Sequence, residues 1–160
     1  MQSVNIICIG KLKEKYLADA IKEYSTRLKP FCKFSIIELD EYRLPDKPSD
    51  AQIAQCLDEE GKRIISRISK NSYVVPMCIE GKTISSEELT DKISNAAVEG
   101  KSTVDFIIGG SHGLSDEVKK MGAFKLSMGR MTFPHQLARV MLTEQIYRAF
   151  QIMTGGKYHK

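Results

Sequence analysis

At 160 residues, 42% of them hydrophobic, the chain is the size of one domain and long enough to bury a core without disulfides or a metal staple. Its four cysteines, Cys8, Cys32, Cys56 and Cys78, form no C-x-x-C pair and no Cys/His cluster at zinc spacing, so a disulfide framework and a structural metal are both unexpected. Net charge is +4 but unevenly spread: residues 1–100 carry 15 Lys and Arg against 16 Asp and Glu, and residues 101–160 carry 9 against 4. A basic C-terminal part favours an anionic partner such as RNA, although a solvated surface would look the same by charge alone.

Strand and helix signals alternate along the chain. Val4 to Ile9 is a continuous apolar run ended by Gly10, as in a strand buried on both faces. Tyr16, Leu17, Ala20, Ile21, Tyr24 and Leu28 then recur at helical spacing until Pro30. Phe34 to Leu39 repeats the strand pattern, and Asp40 to Asp50, with Pro45 and Pro48, reads as a loop. A second helix carries Ile53, Leu57, Ile64, Ile65 and Ile68 on its apolar side. Ser72 to Ile79 is a third strand, in which Pro76 removes a ladder donor and predicts an edge or a bulge.

Ser85 and Glu88 have capping-box spacing, flanked by Ile84 and Leu89 as a hydrophobic staple, and predict a helix running to about Gly100. Thr103 to Ile108 is a fourth strand, Ser115 caps a short helix, and Phe124 to Ser127 is a short fifth strand. Pro134 opens the longest helix, which continues to about Met153 before Gly155 and Gly156. This alternation predicts a single α/β domain over 1–160, with a mostly parallel sheet and helices on both faces. Residues 1–24 contain charges throughout, and no stretch approaches the ~18 apolar residues of a membrane span, so a cytoplasmic protein without membrane contact is expected.

Common nucleotide-binding motifs are missing. The first strand-to-helix turn has one glycine where a dinucleotide site needs G-x-G-x-x-G, and no G-x-x-x-x-G-K-[ST] occurs. Attention moves to two glycine-marked loops, FIIGGSHGL (Phe106 to Leu114) and LSMGRMTFPHQ (Leu126 to Gln136). Both follow strand-like segments, where a parallel sheet ends and backbone amides become free for a ligand.

These loops, together with E-Q-x-YRAF, the terminal YHK and the opening IGKLKEKY, resemble the RlmH family along the whole chain. Its members are small SPOUT-class methyltransferases that use S-adenosylmethionine to methylate N3 of a pseudouridine in large-subunit ribosomal RNA. The resemblance implies a C-terminal trefoil knot, a homodimer, and action on the assembled ribosome. It also implies a cofactor site at Met77, Gly109, Met128, Gly129, Arg130, Met131, Thr132 and Phe133, with Met77 standing where a leucine is usual.

For catalysis the resemblance points to His135 and Arg139, four residues apart on one helix face, and to Tyr158 and His159 of the tail, for substrate positioning or proton transfer. Lys160 adds a tail cation. His112 lies in a tight turn, where a hydrogen-bonding role competes with catalysis. Leu137, Val140, Met141, Tyr147 and Phe150 read as packing, either core or dimer seam. Three other readings stay open: a SPOUT enzyme acting on transfer RNA, a non-catalytic ribosome-associated RNA-binding factor, and a small-molecule enzyme with a phosphorylated substrate. The last is disfavoured by the missing phosphate loop.

Overall fold

A computed structural model describes residues 1–160. The elements follow in the order β1 (Ser3–Ile9), α1 (Lys15–Leu28), β2 (Lys33–Leu39), α2 (Asp50–Ile65), β3 (Tyr73–Thr83), α3 (Ser86–Val98), β4 (Thr103–Ile108), α4 (Asp116–Lys120), β5 (Leu126–Ser127) and α5 (His135–Met153). All pairings are parallel, in the order β2-β1-β4-β3-β5. Every C-terminal strand end therefore opens on the same edge of the sheet, and both glycine loops emerge there.

Period-two alternation divides the core into two layers. Val4, Ile6 and Cys8 of β1, with Val104, Phe106 and Ile108 of β4, pack beneath α1, α3 and α5. Ile7 and Ile9, with Ile107, face α2 and α4 through Ile64, Leu114 and Val118. Each such fully buried side chain contributes about 1.5–3 kcal/mol. The one fully buried carboxylate of the sheet, Asp105, is satisfied by the Asn5 amide at 2.8 Å and by the backbone N–H of Ser69 at 2.8 Å.

The expected elements are present, with instructive differences at their ends. Ser85 and Glu88 form the reciprocal capping box of α3. A second capping box at Ser49 and Gln52 starts α2 inside what the sequence suggested was still loop, and Ile68 falls in the turn beyond the helix end. Strand β3 runs four residues past Ile79, because residues up to Thr83 pair with β5. Only Leu126 and Ser127 of the expected fifth strand are extended. Pro76 closes the register with β4 opposite Ile107, and a register shift separates Met77 from Lys82 in the pairing with β5. The proline thus stands at a change of partner, where a missing N–H costs least.

Helix α5 has apolar residues around most of its circumference, and the fold buries much of it against α1 and α3. Leu142, Ile146, Tyr147, Ala149 and Phe150 are core. Pro134 occupies the N-cap instead of the first helical position. No helix is long and apolar enough to cross a membrane.

Candidate active site

The first glycine loop is a tight turn closed by a bond from the Gly113 N–H to the Gly110 carbonyl at 3.1 Å. It needs glycine for two reasons. Gly113 has φ +83°, and a Cβ on Gly109 would lie 2.6 Å from the Gly113 carbonyl carbon. In the second loop the Ser127 hydroxyl accepts from the Gly129 N–H at 3.1 Å and donates to the Gly129 carbonyl at 3.0 Å, folding the chain sharply after β5.

Between these loops and the end of β3 lies a cleft of about 830 Å³, well within the range of small-molecule sites, roughly 300–1,000 Å³. Met77, Ile79, Ile108, Leu126, Met128 and Phe133 provide apolar walls. Ser111, His112, Ser127, Thr132 and His135 bring polar groups to it. Cys78 also lines it, and burial pushes its thiol pKa up. The sulfur is therefore held as a thiol and is a poor competing nucleophile. At the rim Lys119 pairs with Glu80 at 2.6 Å, which raises the pKa of the lysine and lowers that of the carboxylate.

The family described as "Predicted SPOUT methyltransferase" matches residues 2–159. Two full-length relatives agree with it. The ribosomal RNA large subunit methyltransferase H of Clostridium acetobutylicum is 51% identical, and that of Clostridioides difficile 49%, each over 99% of both chains. The chain belongs to the SPOUT methyltransferase family. Among solved structures, the tRNA (m1G37) methyltransferase of Aquifex aeolicus superposes with a TM-score of 0.52 at 13% identity, covering 91% of this chain and 69% of that one. A Haemophilus influenzae protein described as a probable methylase family member gives 0.54 at 14%, covering 98% and 70%. At such identities the likeness is one of fold.

In this SPOUT methyltransferase, six of the eight expected cofactor residues line the cleft: Met77, Met128, Gly129, Met131, Thr132 and Phe133. Gly109 is buried directly behind the turn and shapes it from below. Arg130 is exposed and is not part of the lining. His112 lines the cleft with an exposed side chain and no hydrogen-bond partner, so the turn does not use it for bracing. His135, the first residue of α5, also lines the cleft with its ring unpartnered.

Arg139 lies elsewhere, which corrects the expectation that it shares a substrate-facing surface with His135. Its side chain is 1% exposed and bonded to Glu38 Oε2 at 2.6 Å and to the Gly10 carbonyl at 3.1 Å. Spacing of four residues brings two side chains to one side of a helix, but α5 crosses the sheet edge there. His135 meets the cleft while Arg139 points down onto β1 and β2. The charged Glu38 interrupting the strand run Phe34 to Leu39 was the available sign of this pair.

The tail is docked on its own chain and is not part of the cleft lining. The Tyr158 ring packs edge-on to Tyr147 at 4.8 Å, and the Arg148 guanidinium lies 4.7 Å from the Tyr158 centroid. The His159 Nδ1 meets Arg148 at 3.1 Å, and Nε2 meets Glu87 Oε1 at 2.7 Å. Since a guanidinium can only donate, Nδ1 accepts and the Nε2–H donates to Glu87. Burial and a hydrogen bond with Tyr24 push the Tyr158 phenol up to about 12, so it stays neutral.

A second hollow, about 580 Å³, lies between the end of β3, α3 and α5, lined in part by Ile84, Leu89, Val140 and Met141. It shares Leu126, Ser127 and Met128 with the first, so β5 is the wall between them.

Proposed function

We propose that this protein transfers a methyl group from S-adenosylmethionine to N3 of a pseudouridine in large-subunit ribosomal RNA, acting in the cytoplasm on the assembled ribosome as a homodimer. The observation that carries the reading is the cleft between the GGSHG turn and the SMGRMTFPH loop, in a chain whose full-length relatives bear the name ribosomal RNA large subunit methyltransferase H.

The residues present suit the cofactor. The turn leaves no room for a Cβ at Gly109 and brings Gly110 and Gly113 to the cleft, while Met77, Met128 and Phe133 offer the apolar surface an adenine and a thioether chain need. When bound, the cofactor supplies an electrophilic methyl on a sulfonium, and the protein supplies orientation and electrostatics. The Gly129 turn and the Met131 to Phe133 segment hold the ligand side of the cleft in place. Orientation of this kind is worth up to roughly 7–11 kcal/mol. The proton of N3 must leave before or as the nitrogen attacks, and the unpartnered rings of His135 and His112, both in the cleft lining, are the acceptors this chain offers. A positioned base contributes about 10²- to 10⁴-fold.

Because the tail lies away from the cleft of its own chain, a tail serving the reaction does so in the partner's cleft. The family's trefoil threading belongs to the same reading. It is supported by the way the chain, after β5, returns across the sheet edge to seat α5 on α1 and α3.

The test is transfer of labelled methyl from S-adenosylmethionine to assembled ribosomes, free ribosomal RNA and transfer RNA side by side, with the product nucleoside identified by mass. Label confined to a pseudouridine of the large-subunit RNA supports the reading. Label in transfer RNA moves the enzyme to another substrate of the same class, and no label with retained RNA binding makes it a binding factor.

A further inference from the structure

The loop after β1, residues 10–14, is outside the cleft lining, yet three side chains from β2 and α5 hold its backbone. Gly10, at φ +91°, turns its carbonyl to the buried Arg139 at 3.1 Å. The Leu12 N–H donates to Glu38 Oε2 at 3.0 Å, the same oxygen that pairs with Arg139. The Lys13 N–H donates to the Gln136 side-chain oxygen at 3.2 Å. A buried ion pair carries a desolvation cost and is a poor way to gain stability alone. Here it fixes the position of a short loop that contributes no fully buried side chain.

What the loop carries is charge. Lys11 and Lys13 are exposed, and neither has a carboxylate partner. The loop also adjoins the cleft, since a Cβ on Gly10 would lie 4.0 Å from Nε2 of His135. Two unpaired ammonium groups on a clamped backbone, beside the one free imidazole at the start of α5, suit a polyanion that passes the cleft mouth. Phosphate contacts of this kind set register and orientation, not sequence.

We propose that the Gly10–Glu14 loop is an RNA-backbone binding site. Lys11 and Lys13 each meet a phosphate beside the target nucleotide, and Glu38, Arg139 and Gln136 are positioning residues that hold the loop for this contact. The proposal rests on the reading that the substrate is RNA, but it concerns binding and not the chemical step.

The experiment is equilibrium binding of the full-length protein to large-subunit ribosomal RNA over a salt series, wild type against a Lys11→Ala/Lys13→Ala double variant, with S-adenosylmethionine affinity measured in parallel. Each lost phosphate contact should flatten the slope of log K against log salt by about 0.7–0.9, so the double variant should lose roughly 1.4–1.8 of slope. Cofactor affinity should not change.

A second variant, Gln136→Ala, removes only the Lys13 backbone partner. It should weaken RNA binding roughly 2- to 10-fold, the value of one hydrogen bond, at unchanged melting temperature. An unchanged salt slope in the double variant overturns the phosphate contacts, and wild-type binding by Gln136→Ala overturns the positioning role. If wild type transfers no methyl but the double variant still loses slope, the loop stands and the catalytic reading falls. If wild type binds no ribosomal RNA, both fall.

Discussion

Arg139 shows how a single side chain can be misplaced by pattern and placed by packing. Its guanidinium is enclosed, while Glu38 keeps 35% of its side chain exposed, and the two partners should therefore not be equivalent on mutation. Glu38→Ala leaves a buried cation with only the Gly10 carbonyl as acceptor, and Nε already lacks a partner. That should cost about 3–5 kcal/mol. Arg139→Met leaves a carboxylate that can turn to water and fills the space with an apolar chain, so about 1–3 kcal/mol is expected. Urea unfolding of both variants checks the order, and equal losses, or the reverse order, would contradict the asymmetry drawn from burial.

At the level of elements, α5 links the two halves of the molecule. Its first turn carries His135 into the cleft, and its middle fills the core. Near its C-terminal end, Tyr147 and Arg148 receive the tail. The tail is anchored by an aromatic contact and a histidine bridge, so removing residues 157–160 should lower the melting temperature modestly and leave cofactor affinity nearly unchanged. If the tail closes a partner's cleft, turnover should fall at least about 10²-fold, because misplaced alignment alone costs that much. Mixing the truncated chain with a His135→Ala chain should then restore part of the activity, since the hybrid dimer has one intact cleft served by one intact tail. Full turnover by the truncated chain would reduce the tail to a docked end without catalytic purpose.

For the molecule as a whole, α5 leaves a strip of apolar residues that its own chain does not cover. Tyr147 and Phe150, which pattern left open as either core or seam, are core. Leu137 at 38% exposure and the half-buried Val140 and Met141 remain at the surface, the last two beside the second hollow. A two-fold partner lying over this strip would cover it symmetrically. We expect light scattering to give the mass of two chains at micromolar concentration, and Met141→Asp to shift it toward one chain with loss of methyl transfer. A wild-type monomer that transfers methyl at full rate would remove both the dimer and the shared site.

Much of this protein was decided locally and was therefore readable from the chain. Apolar runs such as Val4 to Ile9 and Thr103 to Ile108, the capping pair Ser85 and Glu88, and the helix stop at Pro30 each depend on neighbours a few residues away. They yielded the order of elements and a parallel α/β sheet. The glycine-marked loops at strand ends were legible too, but Met77, Met128 and Phe133 were reached only through the family resemblance those loops carry.

What the sequence did not determine by itself was any contact between distant segments. The strand order β2-β1-β4-β3-β5, the pairing of Arg139 with a glutamate 101 residues away, and the docking of His159 on Glu87, 72 residues away, all arise only when the sheet assembles. Local pattern specifies which face of an element is apolar. Which partner that face meets, and whether a charged group on it reaches the cleft or is sealed beneath a loop, is settled by the shared burial of elements far apart in the chain.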